Sequence, residues 1–542
     1  DVDNTVLVVT SDHGLHYGPY YRTEVGRRER GQPVLKIRLP SSVRRQGSSL
    51  SMSNIDLRVT PYDVHATLSE LFGTPRTDAP LGSSLLHPLA PARSCEESRI
   101  PTDLCNTSNP RPAPHRRRSC QPLPRGPSSP PRPQKCPLKC PAQKRGALRW
   151  CSVACPCKSD LLVSRLPHVG LLSFYADIAP SLRPGQRCPN ISNASGRVSR
   201  LAANGVVQLL PSTAKARACQ CASQRQAWRP CLRPLQEEQP VGTSDSLGTS
   251  DSPEKYVDML RLGADEDFGI VACEGMPLDI HWRIAATAQK REANRAANLT
   301  AHRPSILVIQ IDSLSRAAAE RHMPETLDFL STQASKRFVD VDLNLTGIVG
   351  SNSIPNQAAL LTGCVAAHVN ATHPAEHSHL QRAVSDRGRG GWELWCDGDP
   401  GRVGAPWLFG LAKRLGYATL WGEEFCASGS PWALDALLAA DPKSPQADID
   451  HLFHGVYCRI AERENLKEAF LARFAACLDG EVRFRWPLEQ IKRMWQGYDA
   501  ATPKFAVYNA IPVHEGQYTG DLARTMTALE AYDLHLRRFL EA

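Results

Sequence analysis

Asp12 and His13, two adjacent residues near the start of the chain, offer a carboxylate oxygen and an imidazole nitrogen. Together these atoms suit a divalent metal of hard or borderline character. They follow an apolar run, Val6 to Val9, that is typical of a strand buried on both faces, and Gly14 allows the backbone to turn sharply behind them. A polar turn after a strand is the more common explanation of an isolated Asp-His-Gly, so a metal site needs partners elsewhere in the chain.

Two later positions supply such partners. Asp312 ends a second apolar run, residues 306–311, which again predicts a buried strand. Ser353 precedes Pro355 and the apolar residues 358–361, which predicts that its hydroxyl lies at the N-terminus of a helix. There the helix dipole and free N–H groups favour an anion and lower the cost of ionising a serine. The alternative is an ordinary serine N-cap.

The remaining periodicity predicts an α/β fold with a mostly parallel central sheet flanked by helices. Further strands are predicted at 34–39, 417–421 and 505–509, and helices at 62–72, 279–297, 323–330 and 521–540. The strand at 417–421 leads to Glu424, and the strand at 505–509 leads to His514. The polar stretch 17–32, which His16 directly precedes, is predicted to be a loop that could hold an anionic substrate, although a solvated charge run is the more frequent explanation.

The positive charge of the chain is concentrated in one segment. The formal net charge is +9, and residues 111–149 contain eleven Lys or Arg and no acidic residue. The rest of the chain is therefore close to neutral, and we expect no specific nucleic-acid partner.

Cysteine content and glycosylation sequons favour an oxidising, secreted or luminal location. The chain has eighteen cysteines, of which Cys95 and Cys105 flank a short loop and could pair. Asn-X-Ser/Thr sequons, which would make the protein a glycoprotein, occur at Asn106, Asn190, Asn193, Asn298, Asn344 and Asn370. The sequence as given contains no signal-peptide pattern and no apolar run of membrane-spanning length. Because the chain opens almost directly on a strand, we expect its natural N-terminus to be missing, together with any segment that associates with a membrane.

With 542 residues, the chain is long enough for two or three domains. Residues 106–167 are rich in Pro, Arg and Cys without periodicity, which predicts a disordered low-complexity linker. The cysteine spacings there are irregular and no His pair follows, so zinc binding is not expected. The predicted organisation is a first domain part at 1–105, this linker, a mixed region at 168–300 and a second domain part at 301–542.

Several motifs resemble one family when they are taken together. The motifs are IQIDSLSR at 309–316, GSNSIPNQAALLTG at 350–363, GYATLWGEE at 416–424 and NTVLVVTSDHGLHYG at 4–18. They resemble the alkaline phosphatase superfamily and, more narrowly, its sulfatase-like branch known as domain of unknown function 229. In that family the Asp-His-Gly strand comes last, whereas here it comes first. The chain is therefore expected to be the C-terminal part of one copy followed by the N-terminal part of another, or a circular permutant. Either way, the two parts could dock to complete one sheet.

The resemblance implies a set of functional residues. Asp312, Ser353, Asp12 and His13 would hold one divalent metal ion (Mn, Zn, Ca or Mg), with Ser353 as the attacking group. His514 would bind a second metal or a substrate oxygen. Glu424 falls where an aspartate ligand often stands in the superfamily. A second metal is less expected, because Ala510 replaces an aspartate of the two-metal members.

The resemblance also implies an activity on phosphate or sulfate esters, such as those of a glycan or lipid headgroup. Ser353 to Gln357 lacks the arginine of the sulfatase motif, so conversion of Ser353 to formylglycine is not expected. The leading hypothesis is a metal-dependent hydrolase or transferase with a serine nucleophile. The alternatives are a non-catalytic secreted or luminal binding protein, a pseudoenzyme from a broken tandem copy, and a truncated or mis-spliced product.

Overall fold

A computed structural model defines the architecture of the chain. It describes residues 2–16, 18–21, 23–41, 43, 52–73, 81–105, 188, 198–210, 218–232, 258–274, 276, 278–285, 303–332, 338–368, 392–395, 407–427, 430–431, 448–463, 468–469, 477–478, 481–516 and 522–542. The described residues of 1–105 and 169–542 belong to one compact unit. The predicted linker at 106–167 lies outside the described residues.

A seven-stranded sheet lies at the centre of this unit. Its strands are β1 (Thr5–Thr10), β2 (Leu35–Pro40), β3 (Ser305–Ile311), β4 (Phe338–Asp342), β5 (Ala418–Glu423), β6 (His451–Leu452) and β7 (Lys504–Ala510). Their order is β4-β2-β1-β3-β7-β5-β6. The five strands from β1 to β6 in this order are parallel, and β2 pairs antiparallel with both β1 and β4. The predicted α/β fold with a mostly parallel sheet is confirmed.

The sheet joins the two parts of the sequence that carry the site motifs. β1 pairs with β3 in continuous parallel register, from Thr5 opposite Ser305 to Thr10 opposite Gln310. β2 continues the sheet on the other side of β1. The carboxyl ends of β1, β3, β5 and β7 therefore lie at one edge of a single sheet, which is where open α/β sheets position ligands. Whether the chain arose from tandem copies or by permutation stays a prediction.

Side chains of the central strands alternate between two buried faces. In β1, Leu7 and Val9 belong to one hydrophobic cluster, whereas Val6 and Val8 belong to the other. All six residues of β1 are buried. This explains why Val6 to Val9 are all apolar, since a strand covered on both faces has no solvent side for polar residues.

Helices cover both faces of the sheet. They are α1 (Gly18–Tyr21), α2 (Glu24–Arg30), α3 (Pro61–Leu71), α4 (Arg316–His322), α5 (Pro324–Thr332), α6 (Ser353–Thr362), α7 (Leu408–Arg414), α8 (His454–Arg463), α9 (Arg485–Gly497) and α10 (Leu522–Glu541). Every residue of α6 is buried. This helix ends at Gly363, whose φ of +67° is the left-handed conformation that glycine adopts without strain.

Two local predictions are wrong. The predicted loop at 17–32 contains α1 and α2, and Thr23 caps α2 by accepting a hydrogen bond from the N–H of Gly26 at 3.0 Å. The helix predicted at 279–297 starts instead as a strand, Asp279–Trp282, because its backbone pairs with Phe268–Cys273. The rest of that prediction, after residue 285, lies outside the described residues.

Small antiparallel sheets and disulfides make up the described part of the region at 168–300. One sheet contains Asp279–Trp282, Phe268–Cys273, Cys219–Ser223 and Arg229–Leu232, and the other contains Ser199–Leu201, Val206–Leu209 and Asp258–Arg261. Disulfides join Cys219 to Cys273 and Cys221 to Cys231. The predicted Cys95–Cys105 pair is confirmed.

Shorter elements complete the described structure. Three of them are 3₁₀ helices, at Val2–Asn4, Met52–Asn54 and Pro512–Gly516. Three two-stranded sheets pair Arg58–Val59 with Leu345–Thr346, Val365–His368 with Trp392–Trp395, and Cys477–Leu478 with Glu481–Val482. A three-stranded sheet contains Cys426–Ala427, Ser430–Pro431 and Glu468–Ala469. Within the described ranges, no helix has both the length and the apolar character needed to cross a membrane.

Candidate metal centre

Three of the predicted metal ligands meet at the carboxyl edge of the sheet. Asp12 and His13 follow β1, and Asp312 follows β3, its parallel neighbour. Each offers one ligand atom, and the three atoms lie within 4.8 Å of one another. All three side chains are buried, so water does not compete for these atoms from an open surface.

Only one oxygen of the Asp12 carboxylate accepts hydrogen bonds from the described residues. Its Oδ1 accepts hydrogen bonds from the N–H of His13 at 2.8 Å and from the N–H of Ser313 at 3.0 Å. Its Oδ2 accepts no hydrogen bond from the described residues and lies 3.4 Å from His13 Nε2. Because buried carboxylate oxygens in folded proteins are nearly always paired, this oxygen fits a bound cation.

The ring of His13 is held with its second nitrogen facing the same point. Nδ1 lies 2.7 Å from the carbonyl oxygen of Gly14, so Nδ1 carries the proton and Nε2 keeps its lone pair. A Cβ at Gly14 would collide with the carbonyl of Glu29, which explains why glycine is needed there. The sequence suggested a sharp turn at Gly14, whereas the structure shows a close approach to α2.

Ser353 completes the predicted set. Its Oγ donates a hydrogen bond to Asp312 Oδ2 at 3.3 Å and lies 3.4 Å from His13 Nε2. Ser353 is the first residue of α6, and Asn352 occupies the N-cap position. The serine hydroxyl is therefore not a capping group, and it faces the ligand cluster.

The two carboxylates differ in their electrostatic environments. Burial and the nearby charge of Asp312 raise the pKa of Asp12. Burial would also raise the pKa of Asp312, but its contact with His514 outweighs that effect and lowers it. A cation between the two carboxylates would reduce the repulsion between their negative charges.

His514 and His16 border the cluster beside Asp312. His514 Nε2 lies 2.9 Å from Asp312 Oδ1 and 3.1 Å from Ser313 Oγ, so it contacts a predicted ligand directly. The ring of His16 lies edge-on to that of His13, with centroids 4.7 Å apart, and burial lowers its pKa to about 3. The sequence placed His16 among the charges of a loop, and its spacing of three residues from His13 was the available signal.

Ser313 was not predicted to have a role and connects most of the site. Its N–H binds Asp12, and its Oγ lies 3.0 Å from Asp312 Oδ1 and 3.3 Å from His16 Nδ1. Its φ of +61° is a left-handed conformation that residues other than glycine rarely adopt. Such a backbone costs about 1–3 kcal/mol and persists only where its surroundings enforce it. Nothing in the residue type at this position indicates that conformation.

Glu424, the remaining predicted ligand, is bound elsewhere. It is fully buried, its Oε1 accepts a hydrogen bond from the hydroxyl of Tyr508, and its Oε2 accepts one from the N–H of Ile511 at 3.0 Å. It does not belong to the group of described residues whose ligand atoms converge. Its contacts hold the end of β7, where the carbonyl of Ala510 accepts the N–H of Asp312 at 2.8 Å.

The loop that presents Ser353 is fixed by one buried amide. Asn356 Oδ1 accepts the N–H of Val349 at 2.8 Å, and Nδ2 donates to the carbonyls of Gly350 at 2.9 Å and Asn352 at 2.7 Å. The loop is thus bound along its length to the helix that it precedes.

A protein-family model matches most of the chain. The family is described as "Protein of unknown function (DUF229)", and the matched residues are 1–125 and 255–522. Both matched segments contribute side chains to the candidate metal centre. No curated protein and no solved structure matches the chain.

Proposed function

This chain belongs to the DUF229 family, and from that premise we propose that it is a metal-dependent hydrolase or transferase of phosphate or sulfate esters. The observation that carries the proposal is the position of Ser353 Oγ, which lies 3.3 Å from Asp312 Oδ2 and 3.4 Å from His13 Nε2. A hydroxyl at a buried helix N-terminus beside converging metal ligands is the arrangement that a serine nucleophile requires.

Asp12, His13, Asp312 and Ser353 would hold one divalent cation, of Mn, Zn, Ca or Mg. The orphaned Oδ2 of Asp12 and the free lone pair of His13 Nε2 support this assignment. When bound, the cation would lower the pKa of the serine hydroxyl and withdraw charge from an ester oxygen. His514 would contact a substrate oxygen or a second ion. A ligand role for Glu424 has less support, because both of its carboxylate oxygens accept hydrogen bonds.

The reaction would proceed in two transfers. Ser353 Oγ attacks the phosphorus or sulfur atom, the bond to the ester oxygen breaks, and the leaving alcohol takes up the proton that the serine hydroxyl gives up. A water molecule, or an acceptor alcohol in a transferase, then attacks the same centre, the bond to Ser353 Oγ breaks, and the serine oxygen takes up the proton that the attacking hydroxyl gives up.

We place this activity in an oxidising, secreted or luminal setting. The disulfides Cys95–Cys105, Cys219–Cys273 and Cys221–Cys231 support it, because such bonds persist where thiols are not kept reduced. Asn344 lies in a described sequon, and its Nδ2 donates an exposed hydrogen bond to Asp56 Oδ1. A glycan at Asn344 would be detected as a mass loss on treatment with peptide-N-glycosidase.

Turnover of aryl phosphate, bis-aryl phosphodiester and aryl sulfate with added manganese, zinc or calcium tests the proposal. We expect metal-dependent release of the aryl alcohol from at least one substrate. Ser353→Ala should abolish it, whereas Ser351→Ala, at an exposed position two residues earlier, should not. Absence of turnover with every substrate and metal would overturn the proposal. Metal binding without turnover would favour a non-catalytic binding protein.

A further inference from the structure

Gln357 is buried in α6, and the polar atoms of its side chain form no hydrogen bond with the described residues. Its exposed fraction is 1%, and neither the amide nitrogen nor the amide oxygen has a hydrogen-bond partner among the described residues. The large majority of buried side-chain polar atoms in proteins are paired, so an amide with two unpaired atoms requires an explanation. A ligand or ordered water that binds there is the usual one.

The position of Gln357 on the helix directs it towards Ser353. Residues four apart lie on the same face of a helix, and the Cα–Cβ bond tilts towards the helix N-terminus. Four residues correspond to about 6 Å along the axis, which an extended glutamine side chain largely spans. Gln357 therefore lies on the face of α6 that carries Ser353, and an extended side chain there reaches towards the first turn of the helix.

The N-terminus of α6 also lacks one of its usual hydrogen-bond donors. The first N–H groups of a helix have no partner within the helix and form a site for anions. Pro355, the third residue of α6, has no N–H, so this helix presents one donor fewer than usual. The amide N–H₂ of Gln357 can replace the missing donor.

The neighbouring amide of Asn356 is used differently from that of Gln357. Asn356 is equally buried and uses both of its amide atoms in three hydrogen bonds with the loop before Ser353. Of these two adjacent buried amides, that of Asn356 holds the loop, whereas that of Gln357 forms no hydrogen bond with the described residues.

We propose that Gln357 is a substrate-contacting residue whose amide N–H₂ donates a hydrogen bond to a non-bridging oxygen of the tetrahedral oxyanion group at Ser353. The group is the phosphoryl or sulfuryl group of the ester, so the inference rests on the proposed function. The contact involves no covalent step. It stabilises negative charge on an oxygen that the helix N-terminus alone would bind less strongly.

A substitution that removes only the polar atoms tests the inference. Gln357→Met keeps the volume and the apolar stem. Gln490→Met is the matched control, because Gln490 is likewise buried, at 2% exposed, with an unpaired Oε1, but it lies in α9. For each protein, loaded with manganese, we would measure the thermal midpoint, the affinity for inorganic phosphate and for sulfate by calorimetry, and kcat/KM.

We expect Gln357→Met to lower kcat/KM by about 100-fold, as the loss of one oxyanion donor does in other enzymes. Its affinity for the preferred oxyanion should fall, while its thermal midpoint stays the same or rises, because an unpaired buried amide has been removed. Gln490→Met should leave oxyanion affinity and kcat/KM unchanged. The preference for phosphate or sulfate shows which group the amide contacts.

Two results would overturn the inference. Unchanged oxyanion affinity and turnover in Gln357→Met would show that the amide contacts no substrate. A lower thermal midpoint with a parallel loss of binding would show that it holds the fold. If the wild type binds an oxyanion without turnover, the proposed reaction fails, and loss of that binding in Gln357→Met still supports the contact. A wild type that neither binds an oxyanion nor turns over substrate would overturn both.

Discussion

At the scale of single residues, Ser313 links the two carboxylates of the metal centre. Its N–H binds one oxygen of Asp12, and its hydroxyl binds one oxygen of Asp312, so the second oxygen of each carboxylate is left to face the cluster. Such indirect contacts orient ligands and account for much of the affinity of a metal site.

Ser313→Ala should weaken manganese or zinc binding by about 10–100-fold, because Asp312 loses a hydrogen bond that fixes its carboxylate. Calorimetric titration of the purified protein measures this affinity. Ser331→Ala, at an exposed position in α5, serves as the control. Equal affinity in Ser313→Ala and the wild type would show that the hydroxyl does not orient the ligand.

Metal binding should stabilise the protein and depend on Asp12. At 100 times the dissociation constant, a bound metal adds about 2.7 kcal/mol to the free energy of unfolding, which raises the thermal midpoint. Burial and Asp312 raise the pKa of Asp12, so protons compete for this ligand and metal affinity should fall as the pH is lowered. Thermal shifts with manganese at pH 7.5 and pH 5.5 measure both effects. A shift that persists in Asp12→Asn would exclude Asp12 as a ligand.

At the scale of elements, His65 connects α3 to α6. It is buried, its Nδ1 lies 3.1 Å from the carbonyl oxygen of Leu360, and burial lowers its pKa to about 4. The folded protein therefore keeps this ring neutral, whereas the unfolded chain protonates it below pH 6.5.

The resulting stability is present above pH 6.5 and lost as the pH falls towards 4. The displacement of the pKa corresponds to roughly 3 kcal/mol. Urea unfolding between pH 7 and pH 4 measures the loss, and His65→Gln should make the pH dependence shallower by that amount. The same slope in wild type and His65→Gln would mean that other groups cause the acid sensitivity.

Some elements were predictable because their sequence signal is local. β1, β3, β5 and β7 are apolar runs that end in polar residues, and such runs identify buried strands without knowledge of their neighbours. α2 was missed, because its charges suggest a solvated loop. One of them, Glu29, is in fact buried and paired with Arg321, 292 residues later in the chain.

The sequence could likewise identify some residues of the candidate site but not others. Asp12, His13 and Asp312 could be named from the strands that they follow, and the parallel pairing of β1 with β3 brings them together. Long-range contacts decide the rest. The sequence could not indicate that Ser313 adopts a left-handed conformation or that Tyr508 binds Glu424.

At the scale of the whole molecule, the two sequence parts share one sheet and should unfold together. β1 lies between β2 and β3, so it cannot leave without breaking pairs on both sides. Hydrogen exchange should therefore give the amides of Val6 to Val9 and of Ile306 to Ile309 the same free energy of opening. The 3₁₀ helix Met52–Asn54 should exchange faster. Faster exchange in β1 than in β3 would show that the two parts are separate folding units.

The place of β1 in the sheet also determines what happens during synthesis. Thr5 pairs with Ser305, 300 residues later, and a ribosome needs about 15–60 s to add that length of chain. During this time Val6 to Val9 form an apolar segment without the strand that will cover one of its edges. Such segments aggregate or bind chaperones. Among the described strands, β1 is the first to be made, and the interval before β3 emerges is when the nascent protein most needs protection.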